Sequence, residues 1–209
     1  MDLFSLNRKE RVPMKKIITI SREFGAGGGQ IGKAVAERLG YYYLDKDMII
    51  RSAMEASDLT PEDFRMYDEK VPHNFGLGQS LFDFYNKPLN EKLFAAQRDA
   101  IKKVGEKGKC VIVGRNANVI LKEFDYSLHV FIAASQYFRL KNLKQQMPEY
   151  SESKILEEMK SVDKARRRYC TYYTNTEFGN ADYYDLTLKS SSLGIDTCVD
   201  IICKIAEEN

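Results

Sequence analysis

Residues 16–40, KIITISREFGAGGGQIGKAVAERLG, decide how the chain is read. Ile17, Ile18 and Ile20 form an apolar run that reads as a buried strand. Gly25, Gly27, Gly28 and Gly29 crowd the turn after it. Ile31, Val35 and Leu39 then recur at helical spacing, with Ala34 and Ala36 between them and Gly40 as a stop signal. A phosphate-binding loop needs this order of strand, glycine loop and helix. Glycines let backbone N–H groups close around an anion, and a helix start adds unpaired N–H groups and a positive dipole end. A tight connection with no ligand has the same order, but four glycines in five positions exceed what a turn requires.

Two registers compete. Gly27, four residues, Gly32 and Lys33 fit the Walker pattern G-x-x-x-x-G-K, except that Ala34 stands where Ser or Thr should hold Mg²⁺. That reading leaves Ser21 to Ala26 as a gap between strand and motif. It also puts Gly32 and Lys33 inside a helix whose periodicity begins near Ile31. The second register starts the loop at Ser21 and Arg22 and opens the helix near Gly28.

The rest of the chain bounds the fold. Its 209 residues suffice for one domain with a full core. We read 1–13 as an N-terminal extension and 14–209 as a single domain. A net charge of +2 gives no electrostatic case for nucleic acid or membrane as main partner. No run reaches the roughly 18 apolar residues of a membrane span. Cys110, Cys170, Cys198 and Cys203 form no C-x-x-C pair, and with only His73 and His129 there is no zinc pattern. Buried thiols in a reducing cytoplasm are the plain reading.

Further apolar runs at Tyr41–Leu44, Cys110–Val113, Leu128–Ile132 and Asp185–Leu188 read as strands. Helical patterns follow at Asp47–Arg51, 90–104, Asn118–Lys122, 135–147, 151–173 and Ile195–Glu207. Between Asp58 and Pro88 the pattern weakens into expected short helices and mobile loops. Its aromatics (Phe64, Tyr67, Phe75, Phe82, Phe84, Tyr85) read as a small core or as base-stacking groups. Alternating strands and helices predict an α/β fold, a parallel sheet with helices on both faces. Ligands bind beyond the C-terminal strand ends of such sheets. Ser21–Gly29, Asp45–Asp47 and Gly114–Asn116 should therefore converge.

Taken together, the blocks ITISREFGAGGGQIGKAVAERLG, YLDKDMIIR (43–51), VIVGRNA (111–117) and FDYSLHVFIAAS (124–135) followed by a basic helix resemble the nucleoside monophosphate kinases. The likeness is greatest to the cytidylate kinases and their cytidylate kinase-like relatives. It covers about 14–52 and 105–209. It implies the P-loop NTPase fold with five parallel strands, an acceptor-binding insertion at 53–104 and a helical lid at 135–180. An ungapped comparison favours the second register. Ser21 falls at the start of the loop, Arg22 on its first glycine, Gly27 before the lysine, Gly28 on the lysine itself and Gln30 on the Thr that assists magnesium. Ala36, Glu37 and Leu39 then match the A-E-x-L pattern.

The resemblance implies ATP as phosphoryl donor and Mg²⁺ as cofactor. The metal would be carried by phosphates and water, because no dedicated protein ligand is identified. The nucleotide-binding candidates are Ser21, Arg22, Gly25, Ala26, Gly27, Gly28, Gly29, Gln30 and Lys33. With glycine at the lysine position another cation must face the phosphates. Arg22 is the candidate, with Lys33 and the lid arginines behind it; a solvated loop residue or a partner of Glu23 is the alternative for Arg22. Arg22, Arg115, Arg166 and Arg167 are the catalytic candidates. Asp45, Arg51, Arg115 and Asn116 are the acceptor-binding ones. Guanidinium suits phosphate because it binds bidentately and stays charged. Asp45 reads equally as a helix N-cap, and Arg51 as half of a surface ion pair. Asn116 replaces the family's Asp and cannot act as a carboxylate. Three consecutive arginines, Arg166 to Arg168, cannot all face one ligand; Asp163 before them could orient one.

The expected activity is ATP-dependent phosphoryl transfer to a small phosphorylated acceptor, plausibly CMP, in the cytoplasm. A nucleotide sensor with little turnover, a kinase for another acceptor, or a nucleic-acid binder using the basic helix stand as alternatives.

Overall fold

The structure, a computed structural model, describes residues 16–60, 62–63 and 77–207. Residues 1–13, Phe64, Tyr67 and Phe75 lie outside the described residues. Five strands form one sheet in the order β2-β3-β1-β4-β5, and every neighbouring pair is parallel. They are β1 (Ile17–Arg22), β2 (Tyr42–Leu44), β3 (Cys110–Val113), β4 (Ser127–Ala133) and β5 (Leu186–Lys189). Because β1 is central and wholly apolar up to Ile20 apart from Thr19, both of its faces must be covered. Ile18 and Ile20 pack with Ile31 and Val35 of α1 (Gly28–Leu39) and Val199 and Ile202 of the closing helix α8 (Ile195–Glu207). Ile17 turns the other way, into a cluster with Ile49 of α2 (Lys46–Glu55), Ile101 of α3 (Leu77–Lys107) and Leu121 beyond α4 (Ala117–Ile120). A helical pair, α5 (Gln136–Gln146) and α6 (Glu152–Thr174), follows β4. The short α7 (Ser190–Leu193) joins β5 to α8.

Register places the functional ends. Ile17 lies opposite both Cys110 and Ser127, so β1 and β3 advance together. The Gly114 N–H donates to the Ile20 carbonyl at 3.0 Å, which sets the Gly114–Asn116 turn beside the end of β1.

The segment before 90 differs from expectation. Helix α3 begins at Leu77 and runs through Pro88, carrying Phe82, Phe84 and Tyr85. Proline removes one backbone donor from the helix without ending it. All four cysteines are free and buried, and burial pushes the Cys110 thiol up to about 12. His129 is likewise absorbed by structure. The Ser127 hydroxyl donates to the Phe124 carbonyl at 2.7 Å, so His129 Nε2–H donates to Ser127 and the Thr19 hydroxyl donates to Nδ1. Among the described residues no helix is long and apolar enough to cross a membrane.

Gly32, half of the literal Walker match, serves packing. A Cβ there would meet Val113 Cγ2 at 2.8 Å and Ile20 Cδ1 at 3.3 Å, so glycine lets α1 sit close on the sheet. Gly32→Val should therefore destabilise by about 1–3 kcal/mol, seen as a lower denaturation midpoint at unchanged m-value.

Candidate functional site

Helix α1 begins at Gly28, where the second register opens it. Gly25 (φ +81) and Gly27 (φ +83) are left-handed, a conformation that costs glycine nothing. The first helical bond runs from the Ile31 N–H to the Gly27 carbonyl. The N–H groups of Gly28, Gly29 and Gln30 thus lack helical partners. No side chain caps this end and no acidic residue stands in its first turn, so the dipole is left open to an anion.

Strand alternation aims Arg22 at the same spot. It leaves β1 on the Ile18–Ile20 face, and its stem crosses Gly28. A Cβ on Gly28 would lie 2.6 Å from Arg22 Cβ and 2.7 Å from Cγ. The guanidinium ends against Gly114, where a Cβ would collide with Nη1. Burial, then Arg166 and Arg115, lowers the Arg22 guanidinium to about 9, with Tyr43 and Asp163 acting in the opposite sense. It remains charged at neutral pH, and no hydrogen bond of its side chain is found among the described residues. Arg115 (φ +57) and Asn116 (φ +55) continue the left-handed turn after Gly114 (φ +86). Such backbone is costly outside glycine and concentrates at ligand sites. Arg115 lies 5.9 Å from the Tyr169 ring centre. Arg166 donates to the Arg22 carbonyl at 2.8 Å, and burial lowers its guanidinium to about 10 against the opposing effect of Asp163.

The helical pair grips the loop from above. The Phe24 N–H donates to Asp163 Oδ1 at 2.8 Å, and the Phe24 carbonyl accepts from Arg139 Nε at 2.6 Å. Arg139 also pairs with Asp163 and reaches Glu23 at 3.4 Å. Asn142 donates to the Gly25 carbonyl at 2.9 Å, and Ser190 to the Ala26 carbonyl at 2.8 Å. Glu23 accepts from the Ala134 N–H at 2.9 Å. Glu23 is therefore spent on the clamp, which leaves Arg22 without it. The sequence reading missed Arg139, Asn142, Ser190 and Tyr43. For the first two a signal existed, because Arg139, Asn142 and Leu143 share one helix face at i, i+3 and i+4.

The site thus gathers Arg22, Gly25, Gly27, Gly28, Gly29, Gly114, Arg115, Asn116 and Arg166. Other candidates fall outside it. Ser21, one residue from Arg22, alternates to the opposite sheet face, where its hydroxyl donates to Asn118 at 3.4 Å. Lys33 is exposed in the second turn of α1, about 7 Å along the axis from Gly28. The Gln30 side chain is exposed in the first turn, which leaves only its N–H at the helix start, and the Ala26 side chain is buried. Asp45 caps α2, accepting from the N–H groups of Asp47 and Met48 at 3.0 and 3.1 Å. Arg51 is exposed, opposite the buried Ile49 and Ala53. On α6 the buried stripe of Ile155, Met159, Asp163 and Cys170 includes the position of Arg166. Arg167 is about 100° further round and exposed. Removing one member of the clamp should leave a buried charge uncompensated: Arg139→Met is expected to cost about 3–5 kcal/mol in chemical denaturation.

Comparison with known proteins agrees with this geometry. Residues 17–192 match the model of the cytidylate kinase-like family. A cytidylate kinase of Archaeoglobus fulgidus is 27% identical over 194 residues, 91% of this chain and 94% of that protein. The crystal structure of an uncharacterized protein from Eubacterium ventriosum superposes with a TM-score of 0.69 at 26% identity, covering 90% of this chain and 96% of the other. A shikimate kinase from Bacteroides thetaiotaomicron shares the fold at 15% identity and a TM-score of 0.52, with 90% and 96% of the two chains covered. The family match spans most of the chain, and the chain belongs to the cytidylate kinase-like family.

Proposed function

We propose that the protein transfers the γ-phosphoryl group of ATP to a small phosphorylated acceptor, a nucleoside monophosphate such as CMP. Membership of a kinase-like family supports a small-molecule kinase in general. The observation that carries the finer reading is Arg22, whose stem fills the space over Gly28 and whose guanidinium reaches Gly114. On this reading Arg22 supplies the charge that the family's lysine would supply from the position of Gly28. The uncapped N–H groups of Gly28 and Gly29 fit a phosphate, as does the absence of a carboxylate in the first turn of α1. Bound there, ATP supplies the phosphoryl group. Arg115, from the neighbouring strand end, holds the acceptor's phosphate, with Asn116 beside it. Arg166 closes the cluster from the lid side. Phosphoryl transfer is mainly positioning and cancellation of charge, which three convergent guanidinium groups provide.

For magnesium the fit is through phosphates and water. Among the described residues no group of three or more His, Cys, Asp or Glu could hold a metal ion, and Gln30 offers only an amide where the family has Thr. This substitution favours a second reading, a nucleotide sensor with little turnover on the same site. A coupled assay across nucleoside monophosphates separates the two: turnover with one of them supports the kinase, and ATP binding without any transfer supports the sensor.

Arg22→Met should lower kcat/KM by about 100-fold or more and abolish stabilisation by ATP in thermal unfolding. The free protein should melt no lower than wild type, because a buried cation without a carboxylate partner has been removed. Lys33→Met should leave both nucleotide affinity and turnover unchanged. Unchanged ATP affinity in Arg22→Met would overturn the role given to Arg22.

A further inference from the structure

Gln97 is 1% exposed, and neither its Nε2 nor its Oε1 finds a hydrogen-bond partner among the described residues. A buried amide with both ends unsatisfied is costly, so its retention calls for a compensating contact. Its place in the fold indicates which. On α3, Gln97 follows Leu93 by four residues and precedes Ala100 by three, so all three share one face. Leu93 and Ala100 pack with Ala53 of α2. Ile101, four residues on, packs with Leu44 and Ile49. The amide therefore lies between two apolar clusters, on the side of α3 that meets α2. Phe94, one turn before it, stacks on Tyr173 at 4.3 Å and meets Tyr169 edge-on at 6.0 Å. Tyr169 in turn carries Arg115 over its ring, and its carbonyl accepts from Asn116 Nδ2 at 3.5 Å. Gln97 is thus one helical turn from an aromatic patch tied directly to the Gly114–Asn116 turn.

We propose that Gln97 is a specificity-determining residue whose amide reads a planar donor–acceptor edge of the acceptor, that of a nucleobase. The inference rests on the kinase reading above. A primary amide presents N–H beside C=O in one plane, the pattern that pairs bidentately with a base edge, and the neighbouring rings offer a stacking surface. Access requires α2 to part from α3. Leu44, Ile49, Ser52, Ala100 and Ile101 line that interface.

The test measures phosphoryl transfer from ATP by wild type, Gln97→Leu and the volume-conserving Gln97→Met. The acceptors are CMP, UMP, AMP, GMP and the base-free ribose 5-phosphate. Wild type should prefer at least one nucleotide over ribose 5-phosphate. Both variants should raise the KM for that nucleotide about 10–100-fold, towards the value for ribose 5-phosphate. The KM for ATP should stay unchanged, and the free variants should melt no lower than wild type. An unchanged acceptor KM in the variants overturns the proposal and leaves the kinase reading intact. So does a wild type that treats ribose 5-phosphate like the nucleotides. No transfer to any phosphorylated acceptor by wild type overturns both.

Discussion

The side chain of Arg22 occupies the space that Gly28 and Gly114 leave free, and the site is arranged around that placement. A long cation leaving the last residue of a central strand is half-buried there, because α1 covers that sheet face. It must run along the surface of the loop. Glycine at 28 lets the stem pass, and glycine at 114 receives the guanidinium. A Cβ at either position would displace it. The cost is a desolvated charge with two further guanidinium groups nearby, an arrangement that an anion relieves. In this chain the cation beside the loop comes from the strand end, and the helix start carries bare backbone.

Holding such a loop open requires something rigid outside it. Phe24 is fixed through both backbone groups, by Asp163 and Arg139, and the carbonyls of Gly25 and Ala26 are fixed by Asn142 and Ser190. With the Ala26 carbonyl turned outward into the clamp, the Gly27 N–H faces the other way, while the Ala26 N–H closes a turn onto the Glu23 carbonyl. The helical pair α5 and α6 therefore shapes the loop as well as packing on it. Buried ion pairs such as Arg139 with Asp163 add little net stability but fix geometry. The same pairing removes Glu23 and Asp163 as hydrogen-bonding partners for Arg22. Like-charged arginines can then remain together at the place where phosphates would sit.

The fold was legible because it rests on short-range pattern. Three apolar runs of four to six residues, each buried on both faces, could only be parallel strands, and the glycine-rich turn after the first marked the ligand-facing end. The correct loop register was also legible, since helix periodicity begins too early for the Walker match ending in Lys33. Part of the site was readable as well. Alternation along β1 carries Arg22 to the face of Ile18 and Ile20 and Ser21 away from it. The stripe of Ile155, Met159 and Asp163 predicts that Arg166, rather than Arg167, turns inward.

What only the tertiary structure decided is how distant residues share one space. Nothing near Arg22 in the chain announces that its stem will fill the gap above Gly28, or that Gly114, 92 positions away, will receive its guanidinium. Asp45 and Arg51 carry suitable chemistry, yet one is spent on capping α2 and the other lies on that helix's solvent side. Arg139 reads as an ordinary polar helix residue and Gln97 as the polar member of an apolar helix face until packing buries them, one fully bonded and the other with no partner among the described residues. Sequence alone determined the strands, the helices and the open helix start, because these follow from periodicity and backbone chemistry over a few residues. The site's cations, clamp and orphaned amide required the structure, because burial and charge pairing depend on contacts between segments far apart in the chain.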